Sequence, residues 1–390
     1  MTFKKGIIIL VLLIGMVSVL FAGGQKETGP IKIGAILAVS GPASFLGAPE
    51  SKTLEMLVEE FNAKGGFKGK KVELIIKDSG ASAEKAISFA KQLIEEEQVM
   101  AIIGPSTSGE TMQIKDICEQ GKTILLSAAA AESIVNPVAK YVFKTPQKDN
   151  YAAEKIYQTM NSMGIKKIGV VVANTGFGQG GKAQLEKYAP QYGIEILIAE
   201  TYDGAATDLT AVLTKLKAQG VEAVVNWSIV PAQSIVPKNM KQLGMNIPLF
   251  QSHGFGNIKY VQVAGEAAEG IIFPCGRLLV ADVLPDSHPQ KALLVKYKKD
   301  YETKYKEDVS TFGGHAYDAF MILVKAIETV GTNWKDLRDG IDRVRDAIET
   351  LKSFPGTGGV FNFSAEDHNG LGIDSFEMLT VKGGKFVTLK

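Results

Sequence analysis

The chain is predicted to be an α/β protein of two similar lobes, each a parallel sheet flanked by helices. From Ile31 onward, short β-branched runs alternate with segments of helical period, the rhythm of parallel sheets covered by helices. That rhythm restarts after Lys144-Thr145-Pro146. The 390 residues exceed what one hydrophobic core serves, and 45% apolar with 22% charged residues is ordinary globular composition.

In the first half, residues 31–39 read as a buried strand, Gly41-Pro42 turns the chain, and Leu54, Leu57, Val58 and Phe61 share one helix face. Gly65-Gly66 ends that helix. Strands follow at 72–76, 99–103 and 123–127, between a helix capped by Ser82 and another over 111–120. In the second half, a helix over 150–163 leads to strands at 167–173, 195–199, 221–227 and 248–251. Beyond Gly270 come a strand-like run at 271–275, helices near 290–304 and 314–330, and a tail of β character. No period of 20 to 50 residues recurs, which excludes a solenoid.

The amino terminus reads as a secretory signal peptide over 1–24. Lys4 and Lys5 precede an apolar run at 7–21, and Ala22-Gly23-Gly24 supplies small residues before a polar stretch. The run is shorter than the roughly 20 residues a spanning helix needs. No cysteine stands near the cut for lipid attachment. Expected localisation is therefore periplasmic or secreted. Formal charge is +1, with no basic stripe, so nucleic acid is not an expected partner. Cys118 and Cys275 are the only cysteines. Two thiols exclude a disulfide scaffold, and the residues leave open whether they pair.

In open α/β sheets ligands sit beyond the carboxyl ends of strands. Four loops there carry chemistry. Gly104-Pro105-Ser106-Thr107-Ser108-Gly109 precedes a helix, so its hydroxyls and amides suit either an anion or a helix cap. Ser127-Ala-Ala-Ala-Ala131 lets a ligand approach the backbone, though tight helix packing explains it equally. Gly176-Phe-Gly178-Gln-Gly-Gly181 satisfies G-x-G-x-x-G, with Glu200 downstream as a ribose acid would be. It sits mid-chain in a lengthened turn with no catalytic partner, so an NAD-dependent oxidoreductase is the weakest alternative. Gln251-Ser-His253-Gly-Phe-Gly-Asn257 places a histidine among glycines at a strand end, as a ligand contact or a structural residue. Phe177 and Trp227 could line an apolar pocket or belong to the core. The four histidines (253, 288, 315 and 368) are scattered and make no metal-like cluster, and hydrolase and P-loop motifs are absent. No cofactor and no enzyme activity are expected.

Val39-Ser-Gly-Pro42, Phe61-Asn-Ala-Lys-Gly-Gly-Phe-Lys-Gly69, Ile102-Ile-Gly-Pro-Ser-Thr-Ser108, Gly178-Gln-Gly180 and Ala267-Ala-Glu-Gly270 together resemble the leucine/isoleucine/valine-binding family of periplasmic proteins, which serve ABC importers. The resemblance covers nearly all of residues 31–390. It implies a type I periplasmic-binding-protein fold, with three hinge crossovers near 143–147, 272–276 and 352–358. Lobe I would comprise 31–145 plus 274–352, and lobe II 146–273 plus 353–390.

The resemblance also implies site roles. Ser106, Thr107 and Ser108, with the Ala129 backbone, would hold a ligand carboxylate, and Phe177 would pack on the ligand. Phe45, Leu46, Ala131, Trp227 and His253 complete the candidate ligand-binding set. Two positions depart from the family's amino-acid binders, which generally carry Thr where this chain has Ala131 and Glu where it has His253. Loss of that Glu strips a buried ammonium of its partner, at a cost of several kcal/mol. The expected ligand is therefore a small apolar carboxylate, branched-chain amino acid-like or an aromatic or keto acid lacking an amine. The expected partner is a membrane ABC permease, served by a monomer. A ligand-sensing receptor is the alternative.

Overall fold

The structure, a computed structural model, describes residues 29–390; the leader read at 1–24 lies outside the described residues. Among those described, no helix is long and apolar enough to cross a membrane.

The first sheet is parallel, in the order β2-β1-β3-β4-β5, from β1 (Ile31–Leu37), β2 (Val72–Asp78), β3 (Ala101–Ile103), β4 (Ile124–Ser127) and β5 (Val142–Lys144). The second repeats that order as β7-β6-β8-β9-β10, from β6 (Lys167–Ala173), β7 (Glu195–Tyr202), β8 (Ala223–Trp227), β9 (Leu249–Gln251) and β10 (Ile272–Cys275). A separate hairpin pairs β11 (Phe354–Pro355) with β12 (Val360–Phe361). Antiparallel β13 (Glu377–Lys382) and β14 (Lys385–Thr388) then extend the second sheet beyond β10. Strand order reverses between β1 and β3 and between β6 and β8, and each reversal opens a crevice at the strand ends.

The strand period of two explains why helices cover both faces of the first sheet. Ile31, Ile33, Ala35 and Leu37 pack toward α1 (Ser44–Ala63) and the later α10 (Thr311–Val330). Ile36, Ile102 and Leu125 face the opposite way, onto α2 (Ala83–Lys91) and α3 (Ser108–Gln120). The second sheet is enclosed by α4 (Asp149–Ser162), α5 (Gly176–Tyr188), α6 (Thr210–Ala218), α7 (Ile235–Gln242) and α8 (Ile258–Ala264) around one continuous core. α9 (Lys291–Tyr305) packs through Tyr297 and Tyr301 beside Met56 of α1.

Two features differ from the sequence reading, and one that it left open is decided. An unforeseen helix, α11 (Leu337–Thr350), presents Leu337, Ile341, Val344 and Ile348 to the first core and is capped by Asp336, which accepts the Asp339 N–H at 2.9 Å. Residues 354–371, placed with lobe II from sequence, bury Phe361, Phe363 and Leu371 in the first core. Only from Phe376 does the tail join the second core. The third passage therefore falls after Leu371 rather than at 352–358. The tip of the β11–β12 hairpin touches the hinge and turns back, because buried Asp318 accepts the Thr357 and Gly358 N–H groups at 2.5 and 2.8 Å. Finally, Cys118 lies in the first lobe's core and Cys275 on β10; both are buried and unpaired.

Polar contacts tie the crossings together. Gln147 Nε2 donates to the Gly358 carbonyl at 2.7 Å, and Asn369 Nδ2 donates to the carbonyls of Lys144 and Pro146 at 3.1 and 2.8 Å. The lobes also meet at the cleft. Asn257 Nδ2 donates to the Phe45 carbonyl at 2.9 Å, and the Thr311 N–H donates to the Gly256 carbonyl at 3.0 Å.

Candidate functional site

The carboxyl ends of both sheets enclose a cavity with about 320 Å3 of atom-free space, its opening to solvent included. Ser106, Ser108 and Ala128 to Ala130 contribute the first lobe's wall, and Phe177, Ile229, His253 and Gly254 the second's. Leu46, Pro146, Phe312 and His315 close it.

The hydroxyl loop divides by role. Thr107 caps α3: its Oγ1 accepts the Glu110 N–H at 3.3 Å and donates to Glu110 Oε2 at 2.6 Å. The cap satisfies one helix-end donor, the Glu110 N–H, and Thr107 does not line the cavity. Ser108 does, since α3 begins there, three residues earlier than expected. Its Oγ accepts the Ala131 N–H at 3.3 Å, which leaves its own proton to donate. Ser106 Oγ accepts the Ala38 N–H at 3.0 Å and shares a short hydrogen bond with Glu50 Oε2. The Ala129 N–H, expected to face a carboxylate, is instead spent on Ser127 Oγ at 3.1 Å. Ala129 offers its surface to the wall, whereas buried Ala131 stands outside it.

The glycine motif is a helix start, not a phosphate loop. Thr175 Oγ1 accepts the Gly178 N–H at 3.1 Å to cap α5. A side chain at Gly178 would sit 2.0 Å from the Ala173 carbonyl oxygen, at Gly181 2.1 Å from Trp227 Nε1, and at Gly176 2.9 Å from Gly109 of the other lobe. The glycines thus permit helix-on-strand packing and bring the amino termini of α3 and α5 together across the cleft. Both positive helix ends abut the cavity at Ser108 and Phe177, where they favour an anion. Glu200 pairs with Lys215 at 2.9 Å on β7.

Phe177 lines the cavity, while Trp227 is fully buried behind it, the ring centroids 5.8 Å apart. His253 stands edge-on to Phe177, Trp227 and Phe376 at 5.3, 5.6 and 5.6 Å. Burial, then the charges of Lys144 and His315, hold its imidazole well below the usual histidine range, so it is neutral. Phe45 is a closure contact rather than a wall residue; its ring meets Tyr260 of the second lobe at 5.2 Å.

Sequence reading missed the ionisable groups behind the wall. Lys144, at the end of β5, is fully buried and donates to the carbonyls of Ala130 and Gln147. Burial brings its ammonium down to about 8. Asp149, first residue of α4, is also fully buried; its Oδ1 lies 3.4 Å from His253 Nε2, and neither carboxylate oxygen has a hydrogen-bond partner. Burial raises its acid well above the usual range, opposed by Lys144. His315 of α10 is pushed down to about 3 by burial and then by Lys144. Glu50, on α1, is raised to about 8 by burial, with Oε1 unpartnered. The sequence signal available was the polar string Lys144 to Asn150 at the lobe boundary, where the chain must enter the hinge.

A periplasmic binding protein family model matches residues 30–385. A leucine-, isoleucine-, valine-, threonine- and alanine-binding protein of Pseudomonas aeruginosa is 26% identical over 316 residues, 80% of this chain and 81% of that one. An extracellular ligand-binding receptor of Rhodopseudomonas palustris superposes with a TM-score of 0.87 at 27% identity, over 93% of this chain and all of that one. The branched-chain amino acid transporter substrate-binding protein LivJ of Streptococcus pneumoniae, solved with isoleucine, superposes with a TM-score of 0.80 at 26% identity over 92% and 97% of the two chains. Such proteins bind solutes outside the cytoplasm and do not turn them over. With this two-lobed fold and interlobe cavity, the chain belongs to the periplasmic binding protein family, of the leucine/isoleucine/valine-binding type.

Proposed function

We propose that this protein is the secreted solute-binding component of an ABC importer, and that it captures a small apolar carboxylate between its lobes for delivery to a membrane permease. The supporting observation is the polarity of the cavity. Ser108 and two facing helix termini suit an anion at one end, and the other end is an aromatic wall with neutral His253. No carboxylate side chain lines the cavity. An α-ammonium would be buried there without its anion, at a cost of several kcal/mol. A keto, phenolic or unsubstituted acid escapes that cost. The protein acts as a monomer, and delivery rather than sensing is the role that the importer relatives favour.

A branched-chain amino acid is the second reading. The relatives' specificities favour it, as does Asp149, a buried carboxylate one residue behind the wall. Calorimetry separates the two. The expected outcome is tighter binding of 4-methyl-2-oxopentanoate or phenylacetate than of isoleucine. Micromolar binding of isoleucine with no response to the amine-lacking acids overturns the first reading in favour of the second.

A further inference from the structure

We propose that Glu50 carries a proton and, by donating it to Ser106, turns the Ser106 hydroxyl into the cavity as a donor for the ligand carboxylate. The inference rests on the carboxylate reading of the cavity and adds a positioning residue to it. Glu50 is fully buried on α1, and its Oε1 has no partner. Its Oε2 meets only Ser106 Oγ, and no lysine, arginine or histidine pairs with it among the described residues.

Ser106 has one proton and two lone pairs. The Ala38 N–H occupies one lone pair. Were Glu50 ionised, Ser106 would spend its only proton on that carboxylate and turn a lone pair toward the cavity it lines, repelling an anion. Were Glu50 protonated, its O–H would fill the second lone pair and free the serine proton. Burial without a counter-charge decides for the second arrangement, since a lone buried carboxylate neutralises rather than stays charged.

The surroundings agree. Glu110 of α3 repels a charge on Glu50. The β1 end contributes the uncharged Ala38 amide, and α10 brings His315 to the cavity as a neutral imidazole. Lys144, at the end of β5, is engaged with the Ala130 and Gln147 carbonyls and does not pair with Glu50.

The proton itself is read without ligand. The difference infrared spectrum of the intact protein against Glu50→Gln at neutral pH should show one protonated-carboxyl carbonyl band in the wild type. Its absence overturns the proposal. The consequence is read by calorimetry with 4-methyl-2-oxopentanoate and isoleucine as probes. For whichever binds at neutral pH, wild-type affinity should fall about tenfold between pH 7 and about 9.5, as Ser106 loses a charge-assisted bond. Glu50→Gln, whose amide remains a donor to Ser106 at any pH, should flatten that fall, and Glu50→Leu, which removes the titrating group and leaves the Ser106 proton for the ligand, should flatten it too. Lys144 titrates in the same range but is present in every variant, so the difference between profiles belongs to Glu50. Equal alkaline loss in wild type and Glu50→Gln overturns the inference and leaves the carboxylate reading standing. Binding of neither probe at neutral pH overturns the carboxylate reading, while the infrared band still decides the state of Glu50.

Discussion

His253 Nε2 lies 3.4 Å from Asp149 Oδ1, both side chains are buried, and neither makes a hydrogen bond. A neutral ring brings no charge to a carboxyl whose burial already opposes ionisation. A carboxylate in its place would face Asp149 directly.

His253→Glu should therefore destabilise the ligand-free protein by about 1–3 kcal/mol, since like charges at this range cannot both ionise without penalty. An ammonium-bearing ligand would relieve the repulsion. With Ala131→Thr added, isoleucine should raise the melting temperature more than 4-methyl-2-oxopentanoate does, reversing the order expected of the parent. An unchanged order in thermal-shift measurements would remove position 253 from the specificity argument.

Ser108 and Thr107 are adjacent but separable. Ser108→Ala removes a free donor from the cavity wall and should cost about 1–3 kcal/mol of carboxylate binding. Thr107→Ala removes the cap of α3 and should cost about 1 kcal/mol of stability, with little change in affinity. Calorimetry and urea unfolding on both variants check the division; a Thr107→Ala protein that loses binding but not stability would contradict it.

Two groups on α10 should give stability opposite slopes with pH. His315, pushed down to about 3, binds fewer protons folded than unfolded between about 3 and 6.5, so its contribution is present above 6.5 and is lost as pH falls. Asp318, raised to about 7 by burial against three hydrogen bonds, binds more protons folded than unfolded between 3.8 and about 7. Its contribution is present below 3.8 and is lost as pH rises through 7. His315→Gln should flatten the acid limb of a stability profile, and Asp318→Asn the limb toward neutrality, each by at most about 1.4 kcal/mol per pH unit. Profiles parallel to wild type would show that these groups do not titrate as their burial requires.

The bond from Asn257 Nδ2 to the Phe45 carbonyl spans the cleft and exists only while the lobes are closed. Asn257→Ala should weaken ligand binding by about 0.5–1.5 kcal/mol, with stability changing less than affinity. Small-angle scattering should show compaction when 4-methyl-2-oxopentanoate or isoleucine binds. An unchanged radius of gyration with a bound ligand would mean that closure does not accompany binding.

The alternation of strand and helix patterns was enough to place both sheets, because inward residues such as Ile31, Ile33 and Leu37 recur with the period of the pleat. The loops after β3, β6 and β9 were equally legible, since their glycines and hydroxyls stand where no element can continue. The tail was not. Leu337, Ile341, Val344 and Ile348 do keep a helical period, but the tail's short β-like runs drew the reading to strands. The fold-back at 354–371 depends on Asp318, nearly forty residues away in sequence.

By itself the sequence determined the two-lobed α/β architecture and the loops that meet at the cleft, because periodicity and turn chemistry are local properties of the chain. Only the tertiary structure decided which hydroxyls face the cavity. Ser106, Thr107 and Ser108 are alike as residues, yet Glu110 holds the second as a helix cap, while the first, engaged by Glu50, and the third, which meets the Ala131 N–H, line the wall. It also decided the state of the ionisable groups. Lys144, Asp149 and His253 come from different elements, and only folding removes them from water together, which shifts the proton affinity of each away from its ordinary value.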